Sequence, residues 1–415
     1  MRYLKNEQTL QVIKSSFHQY LTKFQLSDGS TNTSVKSLVL FEKEIPVFTN
    51  EFWTARQRQA NPIHEVSYRA CFKPQLPRFF IELFTKPGEI VYDPFNGRGT
   101  TVIEASLLNR NVISNDVNPL SLILTAPRIS PPSLNQIEAR LNEIPIDYHA
   151  RADMDLSMFF EKNTLAEILS LKYYLATKHQ KGKEDIVDKW IRMVATNRLT
   201  GHSNGFFSVY TLPPNQAVSA SRQLKINASR NQQPEYRNTK KLILKKSKTL
   251  LSKPSNTQNG EIKFTLLNGD AGKTDNIKSN SVSLTVTSPP FLDIVQYADD
   301  NWMRCWFNGI DWQKVAQQIT MSKTVEDWSV KMQEVFHELF RVTKPGGIVA
   351  FEVGEVRNGK IKLESAVIPL GLSAGFDCDC ILINEQVFTK TANIWGVNNN
   401  QSGTNSNRIV VFRKK

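Results

Sequence analysis

Cysteine and histidine are scarce in this chain, four and six in 415 residues. Cys71, Cys305, Cys378 and Cys380 are too few and too scattered to build a disulfide framework. Cys378-x-Cys380 lacks zinc spacing and no histidine cluster accompanies it, so no metal site is expected. Long apolar runs are missing as well. No stretch of about 18 apolar residues could span a bilayer, and residues 1–7 lack the core of a signal peptide. Reduced thiols and no membrane span suit a cytoplasmic protein. Acidic excess is the third absence: 52 Lys and Arg against 39 Asp and Glu leave a net charge of +13. That balance favours a polyanionic partner, because neutralising phosphates supplies most non-specific nucleic-acid affinity. Charge alone fits an ordinary basic protein equally well.

What is present centres on residues 91–100. Ile90-Val91-Tyr92 is β-prone and runs into a turn holding Gly97 and Gly99, after which residues 101–108 carry helical apolar spacing. A strand, a glycine turn and a helix start form a nucleotide-binding half-fold, in which glycine lets the backbone approach the ligand and the helix start offers unpaired N–H groups. A bare Gly-x-Gly turn is weak evidence, but its flanks sharpen it. Thr100-Thr101 follows Gly99, so the third glycine of a dinucleotide fingerprint is missing and a nicotinamide oxidoreductase is disfavoured. A second strand, Asn111-Val112-Ile113-Ser114, ends at Asn115-Asp116, where a carboxylate suits the two ribose hydroxyls of an adenosine. A cap or turn residue is the ordinary alternative for Asp116.

Asp93-Pro94-Phe95-Asn96-Gly97-Arg98-Gly99-Thr100 resembles the D-P-F-x-G-x-G-T cofactor motif of S-adenosylmethionine-dependent DNA amino-methyltransferases, and Thr287-Ser288-Pro289-Pro290-Phe291 is similar to their T-S-P-P-Y/F catalytic motif. Together the two are far more specific than either alone. The resemblance covers about residues 61–129 and 262–415. It implies an α/β, Rossmann-like, seven-stranded, mostly parallel sheet with an antiparallel final hairpin, and a large helical and basic insertion. The cofactor would be held by Asp93, Pro94, Phe95, Gly97, Gly99, Thr100, Asp116, Asn118, Asp270 and Thr287, with Asp270 resembling the carboxylate that accepts the adenine amino group. His64 to Arg69 and Phe72-Lys73-Pro74 loosely resemble the segment that packs over the cofactor methionine, although they depart from its usual H-P-x-x-F-P pattern.

The chain divides into an N-terminal extension (1–60), a first core part with the cofactor motifs (61–129), an inserted target-recognition region (130–261) and a second core part with the catalytic motif (262–415). The extension is read as a short helix near residues 10–24 followed by polar loop. Residues 121–129 read as a helix ending before Pro127. Pro131-Pro132 then breaks the pattern, and the gap to the strand at Ile262 is far longer than a crossover requires. Within it, residues 134–144, 163–177 and 186–199 have helical spacing. Between Arg222 and Lys253 stand ten basic residues against one acid, Glu235. Arg222, Lys225, Arg230, Arg237, Lys240 and Lys241 are the candidate DNA contacts, for phosphates and base edges; a solvated basic helix is the plain alternative. Trp302 and Trp306, at i and i+4, read as core packing before base pocket.

Methyl transfer to an exocyclic amine needs the nitrogen lone pair, which is delocalised into the base, to be localised. Two acceptors on the amino hydrogens would do this and stabilise the developing charge. The Ser288 hydroxyl and the Pro289 carbonyl, held by the rigid Pro290, are such a pair, and Phe291 offers a stacking face. A paired base is out of reach, so the target would be flipped from the duplex. In this family a Ser at the first catalytic position is more usual for cytosine-N4 than for adenine-N6. The expectation is therefore a DNA cytosine-N4 methyltransferase of a restriction–modification system, with double-stranded DNA as partner and a cognate endonuclease acting on the same sequence. Adenine-N6 methylation, an RNA amino-methyltransferase and an inactive nucleic-acid binder remain open alternatives.

Overall fold

The computed structural model describes residues 14–26, 31–40, 42–54, 60–69, 71–214, 218–253, 262–290, 299–319, 322, 324–353, 355–356, 361–385 and 406–415. Helix α1 (Lys14–Thr22) leads to a hairpin of β1 (Ser34–Leu40) and β2 (Lys43–Asn50), and α2 (Gln75–Phe84) follows. Two strand–helix units come next: β3 (Ile90–Asp93) with α3 (Thr100–Leu107), then β4 (Asn111–Asp116) with α4 (Leu120–Ile129). The long middle segment carries α5 (Leu134–Glu143), α6 (Lys162–Gln180), α7 (Ile186–Arg198), α8 (Ala220–Ser229) and α9 (Thr239–Leu250). The sheet resumes with β5 (Phe264–Asn268) and β6 (Val282–Thr287), then α10 (Trp302–Asn308), α11 (Trp312–Gln318), α12 (Val325–Val342) and β7 (Thr343–Val353). A small pair, β8 (Glu355–Val356) and β9 (Ile361–Lys362), precedes α13 (Glu364–Ser373), β10 (Asp377–Glu385) and β11 (Ser406–Arg413).

The main sheet runs β1-β2-β10-β11-β7-β6-β3-β4-β5. Strands β5, β4, β3, β6 and β7 are parallel to their neighbours in that series, while β11 is antiparallel to both β7 and β10. This is the expected α/β, methyltransferase-type Rossmann sheet with its antiparallel last hairpin. It has nine strands rather than seven. The added pair comes from residues 34–50, just beyond the helix (10–24) and polar loop (27–34) read from the sequence, where no strand is expected. β2 pairs in parallel with β10 and covers an edge that would otherwise expose unpaired backbone groups. Its Ile45 and Phe48 are buried, but Val35 and Val39 of the outermost strand are exposed, so β1 carries no alternating signal.

Helices cover both faces of the sheet. Alternate strand residues divide between them: Ile348 and Ala350 join Val286, Val91 and the apolar side of α1, α2 and α3, while Val349 and Phe351 meet Trp328, Met332 and Phe336 of α12. A separate cluster, built around the fully buried Trp190, holds α5, α6, α7 and α9 together and takes in α4 and α10. Helix α4 continues through Pro127 instead of stopping before it. The missing amide falls in its final turn, which Arg128 ties down by donating from Nε to the Leu124 carbonyl at 2.7 Å.

Candidate active site

Parallel order reverses between β3 and β6. The chain steps from β3 to β4 to β5 on one side, then returns to place β6 on the other side of β3. The crevice outside the strand C-termini at such a switch point is where α/β sheets hold ligands. Asp93, Asp116 and Thr287 end three of these strands. A cleft lies there whose open space, solvent included, is about 960 Å³.

The glycine turn shapes one wall. Gly99 has φ +82°, and a Cβ there would stand 2.5 Å from the Thr125 hydroxyl oxygen. Gly97 has φ +52° and its N–H donates to Asp116 Oδ2 at 2.7 Å, while Asn118 N donates to Asp116 Oδ1 at 2.9 Å. The Asp116 carboxylate therefore holds the turn as well as facing the cleft. Asn96 anchors the turn from behind, donating to the hydroxyls of Ser121 (2.7 Å) and Thr125 (2.9 Å). Arg98 reaches across to the segment before α2, donating to the carbonyls of Val66 (2.9 Å), His64 and Phe72. Ser67 N donates to Asn197 Oδ1 of α7 at 2.8 Å. His64, Val66, Ser67 and Phe72 are thus held between the sheet and the helices of the middle segment, and Tyr68, Arg69, Cys71 and Phe72 line the cleft.

Of the ten candidate cofactor residues, Asp93, Pro94, Phe95, Gly97, Thr100, Asp116, Asn118 and Asp270 line this cleft. Gly99 and Thr287 stand behind it: Gly99 against Thr125, and Thr287 donating from Oγ1 to Asp93 Oδ1 at 2.6 Å. Burial pushes the Asp93 carboxyl up to about 7 and that of Asp116 up to about 6. Asp270 is more exposed. Its Oδ2 pairs with Lys331 Nζ at 2.7 Å, which overcomes the upward pull of partial burial and holds its carboxyl below the usual range.

Ser288 and Pro290 face the same cleft, with Pro289 buried between them; Phe291 lies outside the described residues. Trp328 Nε1 donates to the Pro290 carbonyl at 2.9 Å and holds the second proline from α12. Sequence reasoning missed Glu352, near the end of β7. Burial raises its carboxyl above the usual range, against the opposing pull of Asn407 and the neighbouring Ser288, and Asn407 Nδ2 donates to it at 2.5 Å. An acid inside the apolar run of residues 348–353 was the available signal.

The candidate DNA contacts are dispersed over α8, α9 and the link between them. Arg222, Lys225, Arg230 and Lys241 are exposed. Arg230 lies over Tyr210, 3.8 Å from the ring centroid. Arg237 and Lys240 are half-buried, and Lys240 Nζ donates to the Ile144 carbonyl at 2.6 Å. Trp302 and Trp306 belong to the helical core; their indoles donate to the Val218 carbonyl and to Asp153 Oδ1, both at 3.2 Å. Among the described residues no helix is long and apolar enough to cross a membrane, and no group of three metal-type ligands is found.

Parts of the chain resemble known proteins. The family described as DNA methylase matches residues 5–122. The Type II methyltransferase M.MvaI of Kocuria varians is 27% identical over 54% of this chain and 52% of its own length. M.BsoBI of Geobacillus stearothermophilus is 21% identical over 74% and 65%. Among solved structures, TTHA0409 of Thermus thermophilus, solved complexed with S-adenosyl-L-methionine, is 22% identical over 35% of this chain and 51% of that one, with a TM-score of 0.22. The chain resembles the S-adenosylmethionine-dependent DNA amino-methyltransferases in sequence as well as in motif. It spans less than two thirds of the length of either Type II relative.

Proposed function

We propose that this protein transfers a methyl group from S-adenosylmethionine to the exocyclic N4 of cytosine in duplex DNA, as the modifying partner of a restriction–modification system. The observation that carries the reading is the convergence of Asp93 to Gly97 with Ser288 and Pro290 on one cleft at the sheet's switch point. The names of the Type II relatives add the restriction–modification setting, and Ser288 at the first catalytic position favours cytosine over adenine.

The cleft suits that cofactor. Its walls are partly apolar, with Phe95, Ile319, Met332 and Val335, and two carboxyls shielded from water, Asp93 and Asp116, face a ligand that is a cationic nucleoside. When bound, S-adenosylmethionine supplies an electrophilic methyl on a sulfonium. Asp116 and Asn118 would hold the ribose, and Gly269 to Ala271 would flank the adenine. Ser288 Oγ and the Pro289 carbonyl would accept from the two amino hydrogens and free the nitrogen lone pair. With its proton turned to the neighbouring Glu352, the Ser288 hydroxyl would present its lone pairs to the amine, and Trp328 holds the turn by its bond to the Pro290 carbonyl. Orientation of this kind can supply several kcal/mol of barrier lowering.

The test is mass spectrometry of nucleosides from unmethylated DNA incubated with protein and S-adenosylmethionine. N4-methylcytosine is expected, and Ser288→Ala should reduce it by at least about 100-fold, the scale of one lost transition-state hydrogen bond. N6-methyladenine would overturn the base assignment but keep the chemistry. Methyl transfer to RNA alone, or to neither, would overturn the DNA reading.

A further inference from the structure

Methyl transfer of the kind proposed above leaves a proton to be placed. The amine nitrogen forms a bond to the methyl carbon, the carbon–sulfur bond breaks, and its electron pair stays on sulfur. The nitrogen is then cationic and still carries both original protons, one of which must leave to give the neutral methylamino group. Ser288 Oγ and the Pro289 carbonyl accept hydrogen bonds from those protons, but a hydroxyl and an amide carbonyl are too weakly basic to keep one. A base within reach of the turn is needed.

Glu352 stands there. Strands β6 and β7 run parallel, and their last matched pair is Thr287 with Phe351. One step further along both strands are Ser288 and Glu352, neighbours on one face of the sheet because side chains of paired strands alternate in step. Phe351 packs under α12, which turns Glu352 to the opposite face. Glu352 is only 9% exposed, near the end of the buried apolar run that begins at Ile348. On its other side β11 pairs Ile409 with Glu352, and Asn407 Nδ2, from the start of that strand, donates to Glu352 Oε1 at 2.5 Å. The neighbouring cation of β11, Arg408, donates to Glu364 of α13 at 2.7 Å. Burial raises the Glu352 carboxyl, and Asn407 and Ser288 pull against it. A carboxyl kept from water with polar groups aimed at it is a common setting for a base that works near neutral pH.

Among the described residues Ser288 lines the cleft and Glu352 stands behind it, so Glu352 meets the amine through the Ser288 hydroxyl. We propose that Glu352 is the final acceptor of the amine proton, relayed by Ser288. The proton passes from nitrogen to Ser288 Oγ as the hydroxyl proton passes to Glu352. The serine ends as it began, and the carboxylate becomes a neutral acid that loses its proton to water before the next turnover. Asn407 is the positioning residue: it fixes Oε1 and favours the ionised form. The relay deepens the function proposed above and rests on it.

The test is the single-turnover rate of duplex methylation, followed against pH with protein in excess. S-adenosylmethionine is kept saturating, so that titration of Asp93 in cofactor binding does not enter. Wild type should gain rate as pH rises through the raised value of Glu352 and then level off, because the base must be ionised. Glu352→Gln, which keeps the size and an acceptor for the serine hydroxyl, should be about 100-fold slower and lack that acid limb, with its affinities for S-adenosylmethionine and duplex unchanged. Glu352→Asp should recover part of the rate and the limb. Asn407→Ala should move the limb to higher pH, since a bond that favours the carboxylate is lost, and it serves if the glutamine variant fails to fold. Rates and profiles unaltered in these variants would overturn the relay and leave DNA methylation standing. A slower Glu352→Gln that keeps the wild-type limb would show a merely structural role and overturn the relay as well. A wild type that methylates no DNA would overturn the relay together with the function it rests on.

Discussion

Asp93 is an ionisable group placed where water is scarce, beneath the cofactor cleft and bonded by Thr287. Its carboxyl titrates at about 7 because burial penalises the anion, with Asp116 following at about 6 for the same reason. The folded value of Asp93 lies above the ordinary 3.8. Its contribution to stability is therefore complete below that ordinary value and is lost as pH rises through about 7. A cationic ligand reverses the preference by favouring the carboxylate. S-adenosylmethionine affinity should accordingly rise between pH 6 and 8, and binding below pH 7 should release a proton, measurable as different calorimetric enthalpies in buffers of different ionisation heat. Asp93→Asn should flatten most of that dependence; an unchanged pH profile would show that Asp93 does not sense the ligand's charge. The position of Asp93 is readable from the motif, whereas its protonation follows from burial and from a Thr287 contact 194 positions away in the chain.

At the scale of elements, the strand–turn–helix unit of β3 and α3 is the most legible part of the chain. Local apolar spacing marks the strand and helix, and the glycines mark the turn. The reason for the second glycine is tertiary, since it packs against Thr125 of α4. Gly99→Ala should therefore cost about 2–3 kcal/mol, from strain at positive φ and crowding of a packed side chain, read as a lowered denaturant midpoint with an unchanged m-value. Gly97→Ala meets only ordinary contacts and would carry the backbone penalty alone. Helix α9 shows the opposite case. Its lysines dominate the sequence, but Ile243 and Leu250 anchor it in the helical core, and Lys240 and Lys246 are tied to Ile144 and Glu65. Charge density in the sequence marks where basic residues are abundant, not which of them the packing leaves exposed.

The whole molecule is a nine-stranded sheet with helices on both faces and a third apolar cluster in the inserted helices. Arg98 holds His64, Val66 and Phe72 from the core side and Asn197 holds Ser67 from the insertion side, so the cleft wall is shared. Core and insertion should consequently unfold as one transition in calorimetry, and saturating S-adenosylmethionine should raise the whole transition, by about 2.7 kcal/mol at 100 times its Kd. Two transitions, of which only one responds, would show the inserted helices to be an independent unit. Short-range patterning in this chain determined the α/β class, the strands that carry the two motifs and the helices of the middle segment, because period and turn chemistry are local. Tertiary structure alone decided the two extra edge strands, the passage of α4 through Pro127 and the Glu352 carboxyl beside Ser288. Each of these depends on which distant surfaces exclude water together, and that information is absent from any local window of the sequence.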